Sequence, residues 1–206
     1  MIQTIFATPI YKSDNLYNLS ESELNVLNNL KMKPNRAGNE VSVEKEIFEN
    51  HKQLSELKKW CMKHVSFFAE QLGVDKNCEV YITQSWLNIN PPQKGHHTHM
   101  HPNSIFSAVF YVEGVNSPTY FYRYDDRSSF GNFTFYDKHK GNPFTANKVG
   151  VLNEPGRLIL FPSSLVHDVD INKGNSNRKT ISFNTFIKGE FGDYDELTKI
   201  KIWNTI

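Results

Sequence analysis

Histidines are crowded into one short segment of this 206-residue chain, where four of the eight lie within residues 95–102. Alternate side chains of a β-strand share a face, so we expect His97, His99 and His101 to point one way and His96 to point the other. Imidazoles two residues apart on one strand can bind a single metal ion. The cluster therefore predicts either a metal site or a solvated histidine-rich loop with incidental metal affinity.

A second group of polar residues follows an apolar run farther along the chain. Residues 157–161 are typical of a buried strand after a tight turn, and His167 follows beyond the end of that strand. The next strand begins with four polar side chains that share one face by alternation, namely Arg178, Thr180, Ser182 and Asn184. Polar groups that point into a sandwich need a ligand or water, so this row predicts a pocket wall.

The elements that would position these residues are short strands. From residue 79 onward, runs rich in β-branched and aromatic residues alternate with turns that contain glycine, proline and asparagine. The runs cover residues 80–89, 104–112, 119–123, 157–161 and 180–187. Because no helical pattern intervenes, the sequence predicts a mainly β fold, an antiparallel sandwich or jelly roll rather than a parallel sheet.

The amino-terminal part begins with a strand and a first helix. Residues 2–11 are typical of a short edge strand. Ser20 followed by Glu23 predicts a capped helix, and Pro34 ends its apolar pattern. Residues 35–40 are expected to form a polar loop.

A second and longer helix is predicted from about Glu49 to Leu72, with Gly73 as its carboxy-terminal cap. Its apolar stripe consists of Leu54, Leu57, Cys61, Val65, Phe68 and Leu72. Such a stripe needs an apolar surface to cover. We therefore expect the two amino-terminal helices to pack on one sheet of the jelly roll.

Composition limits the class of protein. The chain has 23 basic and 22 acidic side chains, which are interspersed and give a net charge of +1, so we expect no nucleic-acid partner. Two cysteines fit a reducing compartment better than a disulfide scaffold. No apolar run reaches the length of a membrane span and no signal peptide is recognisable, so we predict a cytoplasmic protein without a membrane partner.

The length of the chain favours one domain over two. We predict a single domain over residues 1–206. Within it, residues 1–78 form a strand and a helical elaboration, residues 79–190 form the jelly-roll core, and residues 191–206 form a carboxy-terminal extension. The oligomeric state stays open, with a homodimer among the alternatives.

Six segments of the chain are individually weak signals, but their order along the chain is specific. They are residues 5–10, 85–88, 99–104, 106–112, 161–162 with His167, and 178–184. Together they resemble the iron- and 2-oxoglutarate-dependent oxygenases of the double-stranded β-helix fold. More narrowly, they resemble a branch that is common in marine bacteria and their phages. The resemblance implies a cupin-like jelly roll of two antiparallel sheets.

The resemblance also implies a set of metal ligands. His99 stands at the first ligand, His101 at the position of the usual carboxylate, and His167 at the distal ligand, with His97 in reserve. This set departs from the family because His101 is not an acid, and three histidines leave the site one unit more positive. The carboxylates that could replace it from elsewhere are Asp125, Asp126, Asp168 and Asp170. Of these, Asp168 should point away from its neighbour His167.

For the co-substrate, Arg178 stands where the family binds the distal carboxylate of 2-oxoglutarate, because a guanidinium fork suits a planar anion. Thr180 stands beside that carboxylate. The remaining cofactor-binding candidates are Asn184, Tyr111 and Asn88. Asn88 shares a strand face with Trp86, and the two could form the floor of the pocket or could equally be ordinary core residues. For Tyr111, the reading as an aromatic core residue is favoured over contact with the co-substrate.

The resemblance implies a dioxygenase that uses Fe(II) and 2-oxoglutarate, releases succinate and CO2, and hydroxylates an unknown substrate. A small molecule and a protein side chain are open as substrates, as is a modified base, against which the balanced charge argues only mildly. The reaction would take place in the cytoplasm, or in the host cytoplasm if a phage encodes the chain. Two alternatives remain. One is a cupin-type enzyme with a three-histidine metal site that does not use 2-oxoglutarate, and the other is a non-catalytic metal-binding jelly roll.

Overall fold

The computed structural model describes residues 7–114, 117–123, 146–152 and 154–203, and β-strands make up most of it. The helices are α1 (Glu21–Asn29), α2 (Ile47–Asn50) and α3 (Ser55–Gln71), with a 3₁₀ turn at Lys52–Leu54. The strands are β1 (Tyr11–Lys12), β2 (Met32–Pro34), β3 (Glu40–Ser42), β4 (Cys78–Asn90), β5 (His96–His99), β6 (Phe106–Glu113), β7 (Thr119–Tyr122), β8 (Lys148–Val151), β9 (Leu158–Pro162), β10 (His167–Val169), β11 (Arg178–Phe191) and β12 (Ile200–Ile202).

The described strands form two antiparallel sheets. The larger sheet has the order β1-β9-β6-β11-β4-β3-β2, with β12 added to β11, and the smaller sheet has the order β5-β10-β7-β8. Apolar side chains of β6 and β9 pack against Phe121 of β7, which joins the two sheets into a sandwich. This arrangement confirms the predicted antiparallel jelly roll.

The larger sheet is buried on both faces at β6 and β9, and β6 illustrates why. Its first seven residues are buried, and they alternate between two cores. Phe106, Ala108 and Phe110 face the main core that the helices cover, whereas Val109 and Tyr111 face the space between the sheets. A strand covered on both sides needs apolar residues at nearly every position, so its sequence is continuously apolar rather than alternating.

The helices cover the outer face of the larger sheet. α1 has the predicted capping box, in which the Ser20 side chain accepts from the backbone N–H of Glu23 and the Glu23 side chain accepts from the backbone N–H of Ser20. The predicted stripe packs into the main core over the larger sheet, and its buried members are Leu54, Leu57, Cys61, Val65 and Phe68. Gly73 follows this helix with a φ of +76°, a left-handed conformation that favours glycine at a helix end.

Several boundaries differ from the predicted ones. The helix predicted from Glu49 to Leu72 begins only at Ser55, because the extended backbone at His51 separates α2 from the 3₁₀ turn. Leu72 is 41 % exposed and is not part of the stripe. The expected polar loop at residues 35–40 connects β2 to β3. These two strands pair as a hairpin, which was not predicted.

At the amino terminus, the strand predicted over residues 2–11 is confirmed only at Tyr11, where β1 begins and pairs with β9. Residues 2–6 lie outside the described part of the chain. Among the described residues, no helix has the combination of length and apolar character that crossing a membrane requires.

Candidate metal centre

A pocket lies between the two sheets and collects most of the predicted site residues. The smaller sheet contributes histidines near the ends of β5 and β10, and the larger sheet contributes polar residues of β4 and β11. The polar and aromatic side chains that line the pocket include Trp86, Asn88, His96, His99, His101, His167, Arg178, Thr180, Ser182 and Asn184. None of the described lining residues is acidic, so the pocket is suited to an anion.

Three histidines converge in this pocket. The pairing of β5 with β10 places His99 opposite His167, and His101 follows β5 by two residues. One ligating nitrogen from each of His99, His101 and His167 lies within 4.8 Å of the other two. Their ring centroids are 4.3 to 5.1 Å apart. Three imidazoles that converge in this way, with further space beside them, could hold a metal ion and leave a position open.

The protonation of these rings suits metal binding. Nδ1 of His99 lies 2.7 Å from the backbone oxygen of His97, and Nδ1 of His167 lies 2.8 Å from that of Leu165. A carbonyl oxygen only accepts, so Nδ1 carries the proton in both rings and Nε2 has a free lone pair. Burial lowers the pKa of His99, that of His101 to about 4 and that of His167 to about 3, so all three are neutral at pH 7.

His101 has a different environment, because it contacts an amide rather than a carbonyl. Its Nδ1 lies 3.4 Å from Asn184 Nδ2, and the hydroxyl of Ser107 lies 2.8 Å from Asn184 Oδ1. Ser107 in turn contacts Ser163, which donates to Ser104, so a chain of hydroxyls lies behind the amide. If the amide turned over, Asn184 Oδ1 would accept a hydrogen bond from the Nδ1–H of His101, and this ring would then have the same tautomer as the other two.

Arg178 is the cation of the pocket. Its side chain is 1 % exposed, and Nη2 donates to Thr119 Oγ1 over 3.2 Å. The guanidinium carbon lies 5.1 Å from the centre of the Tyr111 ring. Within the described part of the chain, Nε has no hydrogen-bond partner and no carboxylate forms an ion pair with this guanidinium. Burial lowers the pKa of Arg178. A guanidinium is nonetheless effectively always protonated in proteins, so this side chain is a buried cation.

The other predicted co-substrate residues surround this cation. Thr180 lines the pocket on the same face of β11 as Arg178, as alternation predicts. Asn88 donates to Ser182 Oγ over 3.0 Å, and its Oδ1 has no partner among the described residues. Tyr111 does not line the pocket; it lies behind Arg178, and its hydroxyl contacts Thr119 Oγ1 at 2.9 Å.

The prediction that His96 points away from His99 is wrong. His99 of β5 pairs with His167 of β10, and His96 pairs with Val169. The three-residue interval on β5 therefore matches a two-residue interval on β10, which gives β5 one extra residue. This bulge interrupts the alternation and turns His96 into the pocket beside His99. His97, the reserve ligand, does not line that pocket. It lines a second, more open pocket.

The carboxylates considered as replacements for His101 lie elsewhere. Asp168 accepts from Tyr122 over 2.6 Å and from Thr98 over 3.1 Å, and together with Asp170 it lines the second pocket. Asp168 thus points away from the three converging histidines, as predicted. Asp125 and Asp126 lie outside the described residues.

Comparison with known proteins identifies the class of enzyme. Residues 84–184 match the model of a family described as "Putative 2OG-Fe(II) oxygenase", and this stretch runs from β4 into β11. It includes the three converging histidines and Arg178. No curated protein matches the chain.

Solved structures with a similar fold belong to the same class. An oxidoreductase of the 2OG-Fe(II) oxygenase family from Burkholderia pseudomallei is 12% identical, with 85% of this chain and 83% of that chain covered and a TM-score of 0.59. For a prolyl-4-hydroxylase from Pseudomonas putida the identity is 14%, the coverage 86% and 92%, and the TM-score 0.55. HygX from Streptomyces hygroscopicus, solved with nickel, 2-oxoglutarate and hygromycin B bound, is 11% identical, with 86% of this chain and 82% of that chain covered and a TM-score of 0.57.

At these low identities the structural likeness shows a shared fold, the double-stranded β-helix. The family match shows in addition that the strands that form the pocket are similar in sequence to that family. Together, the family match over residues 84–184 and this fold indicate a 2OG-Fe(II) oxygenase, an enzyme that uses iron and 2-oxoglutarate.

Proposed function

We propose that this oxygenase hydroxylates a C–H bond of a small molecule or a protein side chain. In this proposal His99, His101 and His167 hold the iron, and Arg178 binds the distal carboxylate of 2-oxoglutarate. The iron and co-substrate together supply the oxidative decarboxylation of 2-oxoglutarate to succinate and CO2, coupled to the transfer of one oxygen atom to the substrate.

The observation that carries the proposal is the buried guanidinium of Arg178. A buried charge is costly unless it is paired, and the described residues offer Arg178 only the hydroxyls of Thr119 and Tyr111 and the ring of Tyr111, none of which is an anion. The missing partner is therefore an anion, and a carboxylate suits the planar fork best. The same pocket contains the three converging histidines, so an anion that extends from a metal ion to Arg178 satisfies both groups.

The chain's own residues would bind and orient the reactants. The neutral histidines would bind the metal through Nε2, while the Thr180 hydroxyl would donate to the carboxylate that Arg178 binds. Trp86 is half-buried, and its ring lies 5.9 Å from that of His101, so a substrate that approaches the metal would meet this indole. Apolar neighbours such as Phe161 would exclude water from the reacting atoms.

The burial of Arg178 also weighs against the cupin-type alternative. A three-histidine enzyme that does not use 2-oxoglutarate has no need of a cation beside its metal, and Arg178 would then lower stability without a function. A purely structural jelly roll has no need of the cation or of three converging imidazoles. Both alternatives therefore leave the same costly group unexplained.

Succinate release from 2-oxoglutarate in the presence of Fe(II) and oxygen tests the proposal. We expect slow release without a substrate, and faster release when a candidate substrate gains one oxygen atom by mass spectrometry. His167→Ala should reduce release by more than about 100-fold, because it removes a direct ligand and even residues behind the ligands are worth 10- to 100-fold.

His51→Ala is the matched control, because His51 lies outside the pocket and contacts Glu44. It should release succinate at the rate of the unaltered chain. Tight metal binding without any succinate release would contradict the proposal and favour the cupin-type alternative.

A further inference from the structure

A second group of three histidines lies beside the proposed iron site. One ligating atom from each of His96, His97 and His99 lies within 4.8 Å of the other two. Their ring centroids are 4.6 to 5.1 Å apart, which is close to the spacing among the proposed iron ligands. The bulge in β5 creates this group, because it turns His96 to the side of His99.

The nitrogens of this group are largely available to a ligand. His97 Nδ1 is buried and has no hydrogen-bond partner among the described residues, which is costly unless something binds it. His99 donates from Nδ1 to a backbone oxygen, so Nε2 is its one free nitrogen. His96 Nε2 lies 3.3 Å from Asn35 Nδ2, a long contact that a metal ion would have to replace if it bound that nitrogen.

We propose that His96, His97 and His99 form a second metal site, suited to Zn²⁺, that shares His99 with the iron site. Three imidazoles and one water make a tetrahedral set that zinc accepts, and imidazole sites generally bind Zn²⁺ more tightly than Fe(II). Because His99 has one free nitrogen, an ion in either site excludes an ion from the other. Zinc at the second site removes a ligand from the iron and switches the oxygenase off.

The second site has its own route of access. His96 and His97 line the more open second pocket, whose charged residues are Lys94, Lys148, Asp168 and Asp170. These charges balance, whereas the pocket between the sheets contains Arg178 and no acid among its described residues. A divalent cation that arrives from the open side therefore reaches His96 and His97 without passing the buried guanidinium.

Variants that lack the iron site isolate the second one. In the double variant His101→Asn/His167→Gln, polar side chains replace two iron ligands while the second group stays intact. Titration with Zn²⁺ against a chromophoric chelator should give about one bound ion per chain. Adding His97→Ala should weaken that binding by at least about 100-fold, because it removes a direct ligand. Adding His51→Ala instead, as the control, should leave it unchanged.

The existence of the second site does not depend on the proposed function. Only its competition with the iron site depends on that function. A folded double variant that binds no Zn²⁺, or one whose binding survives His97→Ala, overturns the proposal. Anomalous diffraction from zinc-loaded crystals of the unaltered chain decides the question even if the variants do not fold. Density bounded by His96 and His97 supports the second site. Density found only between His101 and His167 contradicts it, as does simultaneous binding of two ions.

Discussion

Arg178→Met separates the function of the buried guanidinium from its effect on stability. Methionine keeps most of the apolar stem of the side chain but removes the charge. In the proposed complex, Arg178 makes a bidentate, charge-assisted contact with the co-substrate, and losing it costs about 2 to 4 kcal/mol. That loss corresponds to a weakening of 2-oxoglutarate binding by roughly 30- to 1000-fold. Metal affinity should change little, because Arg178 is not a ligand.

The same substitution should stabilise the protein when no co-substrate is bound. The guanidinium is 1 % exposed. Among the described residues its hydrogen-bond partners are the hydroxyls of Thr119, at 3.2 Å, and Tyr111, and its Nε is unpaired. An unsatisfied buried group costs about 1 to 3 kcal/mol, and replacing a buried charge by an apolar side chain is often stabilising. We expect the free energy of unfolding to rise by about 1 kcal/mol, or about 2 to 4 °C in the melting temperature of a chain of this size.

Calorimetric titration and thermal unfolding check both effects. At a 2-oxoglutarate concentration of about 100 times the Kd of the unaltered chain, that chain should gain about 2.7 kcal/mol of stability, and Arg178→Met should gain less than about 0.9 kcal/mol. Arg157→Met is the matched control, because Arg157 is already paired with Glu154 and lies outside the pocket. It should leave co-substrate affinity unchanged and should not raise stability. Unchanged 2-oxoglutarate affinity in Arg178→Met would refute the proposed binding of the co-substrate by Arg178. A large loss of stability in the absence of co-substrate would show that Arg178 has a structural role instead.

Three further predictions concern the histidines. His101→Asp should bind Fe(II) within about tenfold of the unaltered chain while His101→Ala loses about 100-fold or more, as measured by calorimetry; equal losses would remove His101 from the ligand set. Asn184→Leu should weaken metal binding by about 10- to 100-fold and Asn184→Asp much less, because only the carboxylate can accept from His101 Nδ1; similar affinities for both variants would argue against this positioning role. In the metal-free folded protein, the pKa values of about 4 for His101 and about 3 for His167 lie below the value of about 6.5 expected for each in the unfolded chain. Between about pH 4 and pH 6.5, the unfolded state therefore binds more protons than the folded state. The free energy of unfolding should therefore be highest above pH 6.5 and fall as the pH drops toward 4, and a flat profile in urea titrations between pH 7 and pH 5 would contradict this expectation.

Much of the fold could be predicted because the strands carry strong local signals. β6, β9 and β11 are rich in apolar and β-branched residues and end near glycine, proline or polar turns. The resemblance to the oxygenase family, which rests partly on the order of His99, His167 and Arg178 along the chain, sufficed to predict that they would share a pocket. Alternation then predicted which side chains of β11 would line it.

The failures have physical causes that no local pattern reveals. The bulge that turns His96 inward depends on how β5 pairs with β10, two segments about 70 residues apart. The break before Ser55 interrupts a continuous apolar pattern, so periodicity alone extended the helix too far. The ring of Tyr111 behind Arg178 is likewise a long-range contact. From the sequence, a core position was favoured for Tyr111 over contact with the co-substrate, and the contact of its ring with Arg178 was not predicted.

The position of β11 in the larger sheet has a consequence for the order in which the protein is assembled. β11 pairs with β4 across sequence separations of roughly 90 to 110 residues, and it also pairs with β6. Contacts at such separations close slowly, because the entropy of a long loop is lost before the pairing is gained. During synthesis, the histidines of β5 and β10 leave the ribosome before Arg178 and Asn184, and the central place between β6 and β4 stays empty until β11 arrives. The nascent chain can therefore present imidazoles to metal ions in the cell before the pocket that selects among those ions exists.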